Sequence, residues 1–381
     1  MSTRALADLA LDWDAVAGSE NPFVSLGFFE ALQQSESAIP ATGWGFQPEV
    51  VTAGGSIVGI APAFRKAHSW GEYVFDHAWA QAWQRAGHSY YPKLLVGVPF
   101  TPVPGPRLLV RPGAPEGTRQ ELIAGLERSA ARLSSAHVTF LEESDRAAFE
   151  AAGWVMRAGF QFHFQNPGYT NFDAFLESLQ SHRRKDIRRE RRLAQASGLR
   201  LRTLRGAEIT EAQWVQFHAL YVANSDRKWG QAYLTPSFFS RMAAALGDKV
   251  ILTVAEDPSK GDLAKGDLAS AELVAAALHL RGRDALYGRN WGASRQVPFL
   301  HFELCYYMAL DLAFAEGISR VEAGAQGEHK LQRGYMPSLT WSAHYIPDPG
   351  FRKAVQRFCE DERKQLAAGI AGVDGPFREP T

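Results

Sequence analysis

One connection in the second half of the chain combines glycines with a high density of titratable side chains. The segment EAGAQGEHKLQRGY, residues 322–335, lies between two predicted strands, residues 318–321 and 339–346. Its three glycines let the backbone adopt positive φ angles or approach a ligand closely. The segment is therefore either a solvated turn with a capping glutamate or part of a site that handles a ligand.

The polar side chains of this segment suit proton transfer and the binding of negative charge. Glu322 or His329 could accept a proton from an attacking amine. Lys330 and Arg333 could hold a phosphate group or stabilise a developing oxyanion. We therefore predict catalytic roles for Glu322, His329 and Lys330. Gln326 and Arg333 are predicted to contact the substrate.

A second segment, LYGRNWGASRQVPFLHFE at residues 286–303, is predicted to run from a strand into a helix N-terminus. Helix N-termini offer free backbone N–H groups and the positive end of the helix dipole, which suit an anion. Arg289, Gly292 and Ser294 form an R-x-x-G-x-S pattern. The pattern is similar to the pyrophosphate-binding turn of acetyltransferases, with serine in place of the last glycine or alanine. These three residues are the predicted cofactor contacts.

Three more residues of this segment, Trp291, His301 and Glu303, are candidate substrate contacts. His301 and Glu303 lie at the start of the predicted helix, where polar residues also commonly cap the backbone. The sequence leaves capping and substrate binding open for both residues.

The segment HSWGEYVFDHAWAQAWQRAGHSYYPKL, residues 68–94, interleaves aromatic and polar residues densely. Aromatic side chains usually fill cores, but this mixture is also typical of a substrate cleft lined by stacking rings. The run PFTPVPGPR that follows is expected to be extended, as the wall or lid of such a cleft. The candidate substrate contacts are Tyr73, Asp76, His77, Trp79, Tyr90, Tyr91 and Lys93.

The segment SHRRKDIRRERR, residues 181–192, carries seven arginines and lysines against Asp186 and Glu190. As a helix it would present these charges around most of its circumference, with Ile187 as its apolar position. Such a helix is either a solvated face whose charges form ion pairs or a patch for RNA or phosphate. Binding to a polyanion would depend strongly on salt.

The bulk composition limits the classes of protein to which these segments can belong. At 381 residues the chain exceeds the size at which a single core stops growing, so two domains are expected. The 41 basic and 41 acidic residues cancel, so a site for a polyanion must be a local patch. The two cysteines, Cys305 and Cys359, form no CxxC pair, and the histidines show no metal-ligand spacing. We therefore expect no disulfide framework and no metal.

The N-terminal sequence and the hydropathy favour a cytoplasmic protein. The first residues contain acids where a signal peptide needs an apolar run. The longest apolar stretches fall short of the ~18 residues that a membrane span requires.

Helices and strands are predicted to alternate in both halves, and one unit occurs twice. The strings FEAAGWVMRAGFQFHFQNPG and LQRGYMPSLTWSAHYIPDPG both read as helix, glycine plus aromatic residue, strand and Pro-Gly. Gly153 precedes His163 by the same interval as Gly334 precedes His344. Residues 71–79 are predicted as a strand of the first copy.

This order of elements resembles two tandem acetyltransferase-type (GNAT) domains. That arrangement is similar to the Fem family of aminoacyl transferases, which extend peptide bridges in cell-wall precursors. The strings NPFVSLGFFEAL, GRNWGA, HFELCYY and GAQGEHKLQRGYMP resemble a bacterial family described as FemAB-like or as peptidoglycan biosynthesis/recognition acyltransferases. The resemblance covers nearly the whole chain. It implies an α+β fold with two GNAT-like domains, residues 1–166 and 167–381, each a mixed, mainly antiparallel sheet flanked by helices.

The resemblance also implies an N-acyltransferase with a small-molecule or peptide amine as acceptor. HKLQRGYMP is similar to the Fem-family stretch near the acyl-transfer point, which puts Lys330 or Arg333 in the place of the expected cation. The helical arm thought to help hold tRNA in staphylococcal Fem proteins has no counterpart here. This favours acetyl-coenzyme A or another acyl-coenzyme A over aminoacyl-tRNA as the donor. Two alternatives stay open: a tRNA-dependent transferase that binds tRNA through residues 181–192, and a non-catalytic module that recognises a wall peptide or a partner.

Overall fold

The computed structural model describes residues 5–18, 20–228, 232–260, 271–324 and 327–378. The helices are α1 (Ala10–Ala17), α2 (Leu26–Gln34), α3 (His77–Arg85), α4 (Thr118–Ala130), α5 (Glu143–Ala151), α6 (Phe172–Ser178), α7 (Ser181–Gln195), α8 (Glu211–Lys228), α9 (Pro236–Leu246), α10 (Leu300–Phe302), α11 (Met308–Ala315) and α12 (Pro349–Ala371). The strands are β1 (Trp44–Phe46), β2 (Glu49–Ala53), β3 (Ser56–Ala61), β4 (Ala63–Lys66), β5 (Lys93–Val96), β6 (Leu109–Val110), β7 (Ala136–Thr139), β8 (Val155–Gln165), β9 (Arg200–Arg205), β10 (Val250–Asp257), β11 (Glu272–Arg281), β12 (Ala285–Ala293), β13 (Arg320–Glu322) and β14 (Met336–Tyr345). A π-helix at Glu303–Tyr307 joins α10 to α11, and Glu328–Arg333 form a 3-10 helix. The predicted α+β class is confirmed.

The chain folds into two compact units. The first consists of Met1–Phe160 and Leu339–Val373, and the second of Gln161–Ser338 and Asp374–Thr381. The sequence placed a domain boundary at residue 166, close to the end of the first segment. It assigned the whole remaining chain to the second domain, whereas the structure returns residues 339–373 to the first unit.

Contacts between residues far apart in the sequence cause this return. Residues 342–345 of β14 pair with residues 136–139 of β7 in antiparallel register. At the start of α12, the Phe351 ring stacks on Trp83 with 4.5 Å between the ring centroids. Local sequence patterns carry no information on such partners, so the sequence alone does not indicate this return.

The sheet of the first unit has the strand order β1-β4-β5-β7-β14. β5 and β7 run parallel, and β7 and β14 run antiparallel. Helix α4 packs on this sheet because Leu122 and Leu126 share one apolar core with Val96 and Val138. A separate sheet contains β2, β3 and β6, and a turn at Gly54 and Gly55 joins β2 to β3.

The sheet of the second unit has the order β8-β13-β12-β11-β10-β9, with β8 contributing its last residues. β12 and β13 are parallel, and the other neighbours are antiparallel. Side chains alternate between the two faces of a strand. One face packs on α6 and α11 through Leu286 and Val321. The other face packs on α8, where a Cβ added at Gly292 would overlap the Leu220 carbonyl.

The two units repeat one three-strand arrangement. A parallel pair is followed by an antiparallel partner in both: β5, β7 and β14 in the first unit, and β12, β13 and β8 in the second. His344 lies opposite His137 in the first unit, and His163 lies opposite Glu322 in the second. Because the sequence repeat aligns His163 with His344, His137 and Glu322 occupy equivalent positions.

The prediction of a strand at residues 71–79 is wrong. The residues before His77 form a loop, and α3 begins at His77. The alternation of aromatic and polar residues resembles a strand with a solvated face. Its acids Glu72 and Asp76 are instead buried as ion pairs with Lys93, and these contacts fix a loop.

Candidate active site

The parallel strands β12 and β13 stop pairing in the middle of the second unit. Their register ends with Tyr287 opposite Glu322, where β13 ends, whereas β12 continues to Ala293. In the described part of the chain, residues 288–293 therefore have no strand partner on their β13 side. An unpaired strand edge presents N–H and C=O groups to which a ligand can bind.

Strand β12 carries a bulge at the same place. Ala277 of β11 lies opposite Trp291, and His279 lies opposite Gly288, so that three steps on β12 match two on β11. The extra residue falls at residues 289–290. Bulges redirect side chains and commonly occur beside active sites.

The carboxylate of Glu322 lies at the end of the paired region and is buried. Its Oε1 atom is 3.0 Å from Arg320 Nε, and its Oε2 atom is 3.7 Å from His163 Nε2. Within the described residues, neither oxygen accepts a hydrogen bond of good geometry. His163 Nε2 lies 3.1 Å from Gln161 Oε1, so a neutral His163 can donate to that amide. Glu322 is thus a poorly solvated acid next to a cation and an imidazole.

These surroundings shift the proton affinities of both groups. Burial raises the pKa of Glu322 to about 7, and the nearby charges of Arg320 and Arg289 limit the rise. Burial, together with the charges of Arg320 and Lys330, lowers the pKa of His163 to about 3. At neutral pH, His163 is therefore uncharged and Glu322 exchanges a proton readily. A carboxyl group with a pKa near the working pH is suited to general base catalysis.

Lys330 lies close to this pair. Its side chain is buried, and its Nζ atom donates a hydrogen bond to the Gly324 carbonyl at 2.6 Å. This bond ties Gly324, two residues after Glu322, to the 3-10 helix that contains Lys330. Lys330 is near enough to His163 to lower its pKa.

His329 and Arg333 contact a different part of the second unit. His329 Nε2 lies 2.8 Å from the Tyr306 hydroxyl of the π-helix. Arg333 donates to Glu190 Oε1 at 2.7 Å and to the Tyr307 hydroxyl at 3.0 Å. These contacts attach the 3-10 helix to the π-helix and to α7. The sequence had grouped both residues with Glu322.

The predicted cofactor residues lie on the strand and not in a turn before the helix. Arg289 and Gly292 are part of β12, and Ser294 follows it. The Ser294 hydroxyl donates to the Val274 carbonyl at 3.2 Å. Gly292 is needed for the close packing of α8, whereas Arg289 is near enough to Glu322 to affect its pKa.

The other candidates of the same segment have aromatic or ionic contacts. The Trp291 and His301 rings lie edge to face with 5.0 Å between centroids. Glu303 is buried and accepts hydrogen bonds from Arg191 at 2.9 Å and from Gln195 at 3.3 Å. The latter contacts give Glu303 a structural role in the π-helix. Gln326 lies outside the described residues.

In the first unit, Lys93 is the centre of a buried polar cluster. Its Nζ atom donates to Glu72 Oε2 and to Ser69 Oγ, each at 2.8 Å, and to Asp76. The Tyr90 hydroxyl donates to Asp76 Oδ2 at 2.7 Å. Burial raises the pKa of Glu72 to about 7, while Lys93 outweighs burial at Asp76 and holds the pKa of that carboxyl below its usual range.

Two histidines and a second lysine extend this cluster. His137 Nδ1 and His344 Nδ1 are 2.7 Å apart, so one of the two nitrogens carries the shared proton. Burial lowers the pKa of His137 to about 3 and the pKa of His344 well below its usual value. Lys66 is buried with its Nζ atom 3.3 Å from the centre of the Trp44 ring, and burial lowers its pKa to about 7. His137 and His344 thus bond to each other, and the Trp44 ring covers the ammonium group of Lys66.

The remaining candidates of residues 68–94 divide between interior and surface. Trp79 is buried against His344, with 4.9 Å between ring centroids, and the Tyr91 hydroxyl lies 2.9 Å from Ser69 Oγ. Tyr73 is partly exposed, and His77 is exposed at the start of α3. The structure thus brings Asp76, Tyr90 and Lys93 into one cluster and leaves Tyr73 and His77 at the surface.

Helix α7 has few ion pairs for its charge. Arg191 binds Glu303 and Asp311, and Glu190 binds Arg333. Within the described chain, the other α7 cations have no ion pair: Arg183, Arg184, Lys185, Arg188, Arg189 and Arg192. An open cavity of about 500 Å³ lies between α6 and α7, with Arg188, Arg191 and Arg192 among its lining residues. The field of α7 is therefore strongly positive.

Sequence reasoning missed two neighbours of Glu322. His163 entered only as a marker of the internal repeat, and Arg320 was not considered. Arg320 is two residues before Glu322, so it shares the strand face of that carboxylate and was accessible to a strand-pattern argument. His163 reaches Glu322 through the pairing of β8 with β13, which no local pattern could reveal.

Neither a metal-binding cluster nor a membrane-spanning helix occurs among the described residues. No group of three or more histidine, cysteine, aspartate or glutamate residues there could hold a metal ion. None of the helices found there has the length and apolar character needed to cross a bilayer.

One family model and several solved structures are similar to this chain. The model of the FemAB-like family, described as peptidoglycan biosynthesis/recognition, matches residues 7–379. FemX aligns at 13% identity and a TM-score of 0.52, covering 93% of this chain and 100% of FemX. The C-terminal domain of an Agrobacterium fabrum protein provisionally named a lysylphosphatidylglycerol synthetase aligns at 8% identity and a TM-score of 0.53, covering 97% and 100%. A tandem GNAT protein from the clavulanic acid biosynthesis pathway aligns at 14% identity and a TM-score of 0.44, covering 91% and 98%. No curated protein sequence matches significantly.

Proposed function

The chain belongs to the FemAB-like family, and on this basis we propose that it is an N-acyltransferase whose second unit carries the reaction at Glu322. The observation that supports this most strongly is the position of Glu322. A buried carboxyl group with a raised pKa lies where β12 and β13 stop pairing and leave a strand edge open to a ligand. The family description supports an amine of a peptidoglycan-related peptide as the acceptor.

In the proposed reaction, the amine nitrogen attacks the acyl carbonyl carbon and gives a proton to the Glu322 carboxylate. The carrier leaves with the electron pair of its bond to the acyl group and takes up a proton. The net change is one amide formed and one thioester or ester broken. A positioned general base contributes roughly 10²- to 10⁴-fold, and orientation of amine and carbonyl contributes more.

Three further residues are assigned supporting roles. Lys330 holds the Gly324 carbonyl, and with it the backbone that follows Glu322. Arg289 supplies positive charge beside the open edge of β12, where donor phosphates or a developing oxyanion would gain from it. His163 keeps water away from Glu322 without carrying charge of its own.

The donor is either an acyl-coenzyme A or an aminoacyl-tRNA, and the sequence favours the first. One structural observation favours the second, since six cations of α7 have no ion pair in the described chain. Binding of tRNA to α7 would weaken steeply with salt, and neutralising Arg188, Arg189 and Arg192 would reduce the salt dependence. Tight binding of coenzyme A without salt-sensitive RNA binding would favour the first donor.

The test uses Glu322→Gln, which keeps the shape of the side chain and removes the base. Purified protein is offered acetyl-coenzyme A or charged tRNA with amine-bearing muropeptides, and the amide products are measured. We expect transfer by the wild type and a loss of roughly 10²-fold or more in the variant. Glu256→Gln is the matched control, because Glu256 is also buried in this sheet but lies on β10 and pairs with Arg200.

A non-catalytic module makes a different prediction. It would bind a wall peptide but yield no amide product with either donor. Equal transfer rates for Glu322→Gln and the wild type would remove Glu322 from the reaction.

A further inference from the structure

One loop of the first unit has its polar and apolar side chains reversed. In residues 69–76, Glu72 and Asp76 are buried, whereas Trp70 and Phe75 are 58% and 54% exposed. Burial of apolar surface stabilises a fold, and burial of a carboxylate costs free energy unless it is paired. A loop that only connected two elements would have the opposite arrangement.

Lys93 holds the polar side of this loop in the interior. It donates to Ser69 and Glu72, each at 2.8 Å, and to Asp76, and all four side chains are buried. The loop is thus fixed at its beginning, middle and end by one buried ammonium group. Its rings are therefore presented on a rigid backbone.

The backbone of the two ring-bearing residues is also held. Lys66 Nζ donates to the Trp70 carbonyl at 3.3 Å, and Arg157 donates to the Phe75 carbonyl at 2.8 Å. These bonds fix the backbone of both residues, so a backbone rotation that buried either ring would break them. The exposure of Trp70 and Phe75 is therefore built into the loop.

The rings form one patch and are not scattered. The His77 ring lies 6.0 Å from the Trp70 ring and 6.0 Å from the Phe75 ring. Tyr73 lies between them in the chain, is partly exposed and has a φ of 60°. We call Trp70, Tyr73, Phe75 and His77 the ring patch. Contiguous exposed apolar patches commonly mark interaction sites.

Within residues 67–93, the exposed surface beside the ring patch carries a positive charge at Arg85 and no negative charge. The only acids of residues 67–93 are Glu72 and Asp76, which are both buried. Glu362 lies near Phe75 but forms a bidentate pair with Arg157, at 2.7 and 2.8 Å. The exposed polar side chains of α3 and the turn after it are neutral or basic: His77, Gln81, Gln84, Arg85 and His88. This surface therefore suits an anionic, partly apolar partner.

We propose that the ring patch docks the protein on the interface of an anionic lipid bilayer. Tryptophan and tyrosine are enriched where a membrane meets water, because they combine an apolar body with a polar group. Basic residues beside them are attracted to anionic headgroups. The docking is peripheral, and it does not depend on the acyl-transfer proposal.

The test measures binding of the full chain to vesicles rich in phosphatidylglycerol and to vesicles of phosphatidylcholine alone. We expect binding to the anionic vesicles, weakened about tenfold or more in the double variant Trp70→Ala/Phe75→Ala. Val215→Ala is the control, since Val215 is 60% exposed but lies on α8 in the second unit. It should bind as the wild type does. Thermal unfolding of all three proteins should coincide closely, because the replaced side chains are exposed.

Three results would overturn the proposal. One is equal vesicle binding by the double variant and the wild type. Another is wild-type protein that ignores both vesicles but self-associates through the ring patch, as shown by sedimentation of the double variant. The third is binding of the ring patch to peptidoglycan glycan without any affinity for vesicles, which would assign the rings to sugar stacking.

Discussion

The surroundings of Glu322 make its ionisation cost more free energy than in water, which raises its pKa to about 7. Burial opposes the carboxylate, and Arg320 and Arg289 offset part of that cost. Its equivalent in the first unit, His137, is bonded to His344 and surrounded by the Lys93 cluster. His137 is therefore satisfied by hydrogen bonds within the first unit. At the equivalent position of the second unit, both carboxylate oxygens of Glu322 have no hydrogen-bond partner among the described residues. This difference is the reason for placing the reaction in the second unit.

The pH dependence of transfer should follow the ionisation of Glu322. A general base acts when deprotonated, so the rate should rise with pH through about 7 and then level off. Glu322→Gln should be slower and should lack this rise. The measurement is single-turnover transfer between pH 5.5 and 8.5, with Glu256→Gln as the variant that keeps the wild-type profile. A wild-type rate that is flat across pH 7 would contradict the assignment.

The stability of the protein should carry the same signature. The pKa of Glu322 is about 7 in the folded chain against an ordinary value of 4.5, so the folded state binds more protons between these values. Its stabilising contribution is complete below the lower value and is lost as pH rises through the upper one. Relative to Glu322→Gln, the wild type should lose about 2 to 3 kcal/mol of unfolding free energy across this window. A constant difference in unfolding free energy between the wild type and Glu322→Gln at all pH values, measured with urea, would refute the raised pKa.

At the scale of single elements, buried ion pairs stabilise the loop before α3, where Lys93 binds Glu72 and Asp76. Lys93→Met should leave the carboxyl groups of Glu72 and Asp76 without their ammonium partner. We expect a loss of about 3 to 5 kcal/mol in unfolding free energy, measured with urea. Lys260→Met removes an exposed pair with Glu272 and should cost less than about 1 kcal/mol. Similar small losses for both variants would show that the Lys93 cluster does not hold the loop.

Replacing glycine with alanine should change the stability of the protein in opposite directions at two positions. Gly292→Ala would push a methyl group into the backbone of α8 and should destabilise the protein by about 1 to 3 kcal/mol or more. Gly369 lies in α12 with no atom near its missing Cβ. Gly369→Ala should therefore stabilise by up to about 1 kcal/mol. Thermal unfolding of the two variants tests both signs, and a stabilised Gly292→Ala would contradict the packing of α8 on β12.

Elements whose signals lie in their own residues could be predicted from the sequence. Elements that depend on contacts with residues elsewhere in the chain could not. Helix α2 begins after the Ser25 cap, and the hairpin of β2 and β3 turns at Gly54 and Gly55, so both elements carry their signal in their own residues. The strand predicted at residues 71–79 does not form because Lys93, which lies on another element 17 to 21 residues later, binds its acids. The site behaved likewise. Glu322 is a candidate that its own segment suggests, whereas its neighbour His163 lies on another strand.

At the scale of the whole molecule, the first unit consists of two separate chain segments, from which we predict how fragments fold. Residues 1–166 alone lack β14 and α12, so the edge of β7 is unpaired and Trp83 loses its partner Phe351. Residues 1–160 joined to 339–373 by a short glycine-rich linker keep both contacts. The join is feasible because a Cβ added at Gly159 would lie 3.1 Å from Thr340 Oγ1.

We expect cooperative urea unfolding of the joined fragment and no cooperative transition for residues 1–166. A cooperative, equally stable 1–166 fragment would instead support the division predicted from the sequence. The experiment therefore separates a boundary set by local composition from one set by strand pairing.

The acyl-transfer proposal is tested most directly by following a labelled acyl group into amide products. Wild type, Glu322→Gln and Glu256→Gln are each given labelled acetyl-coenzyme A and labelled aminoacyl-tRNA in the presence of amine-bearing muropeptides. We expect labelled amide from the wild type and Glu256→Gln with one of the donors, and at least about a 10²-fold lower rate from folded Glu322→Gln. Labelled amide formed equally fast by all three proteins, or by none of them with either donor, would contradict it.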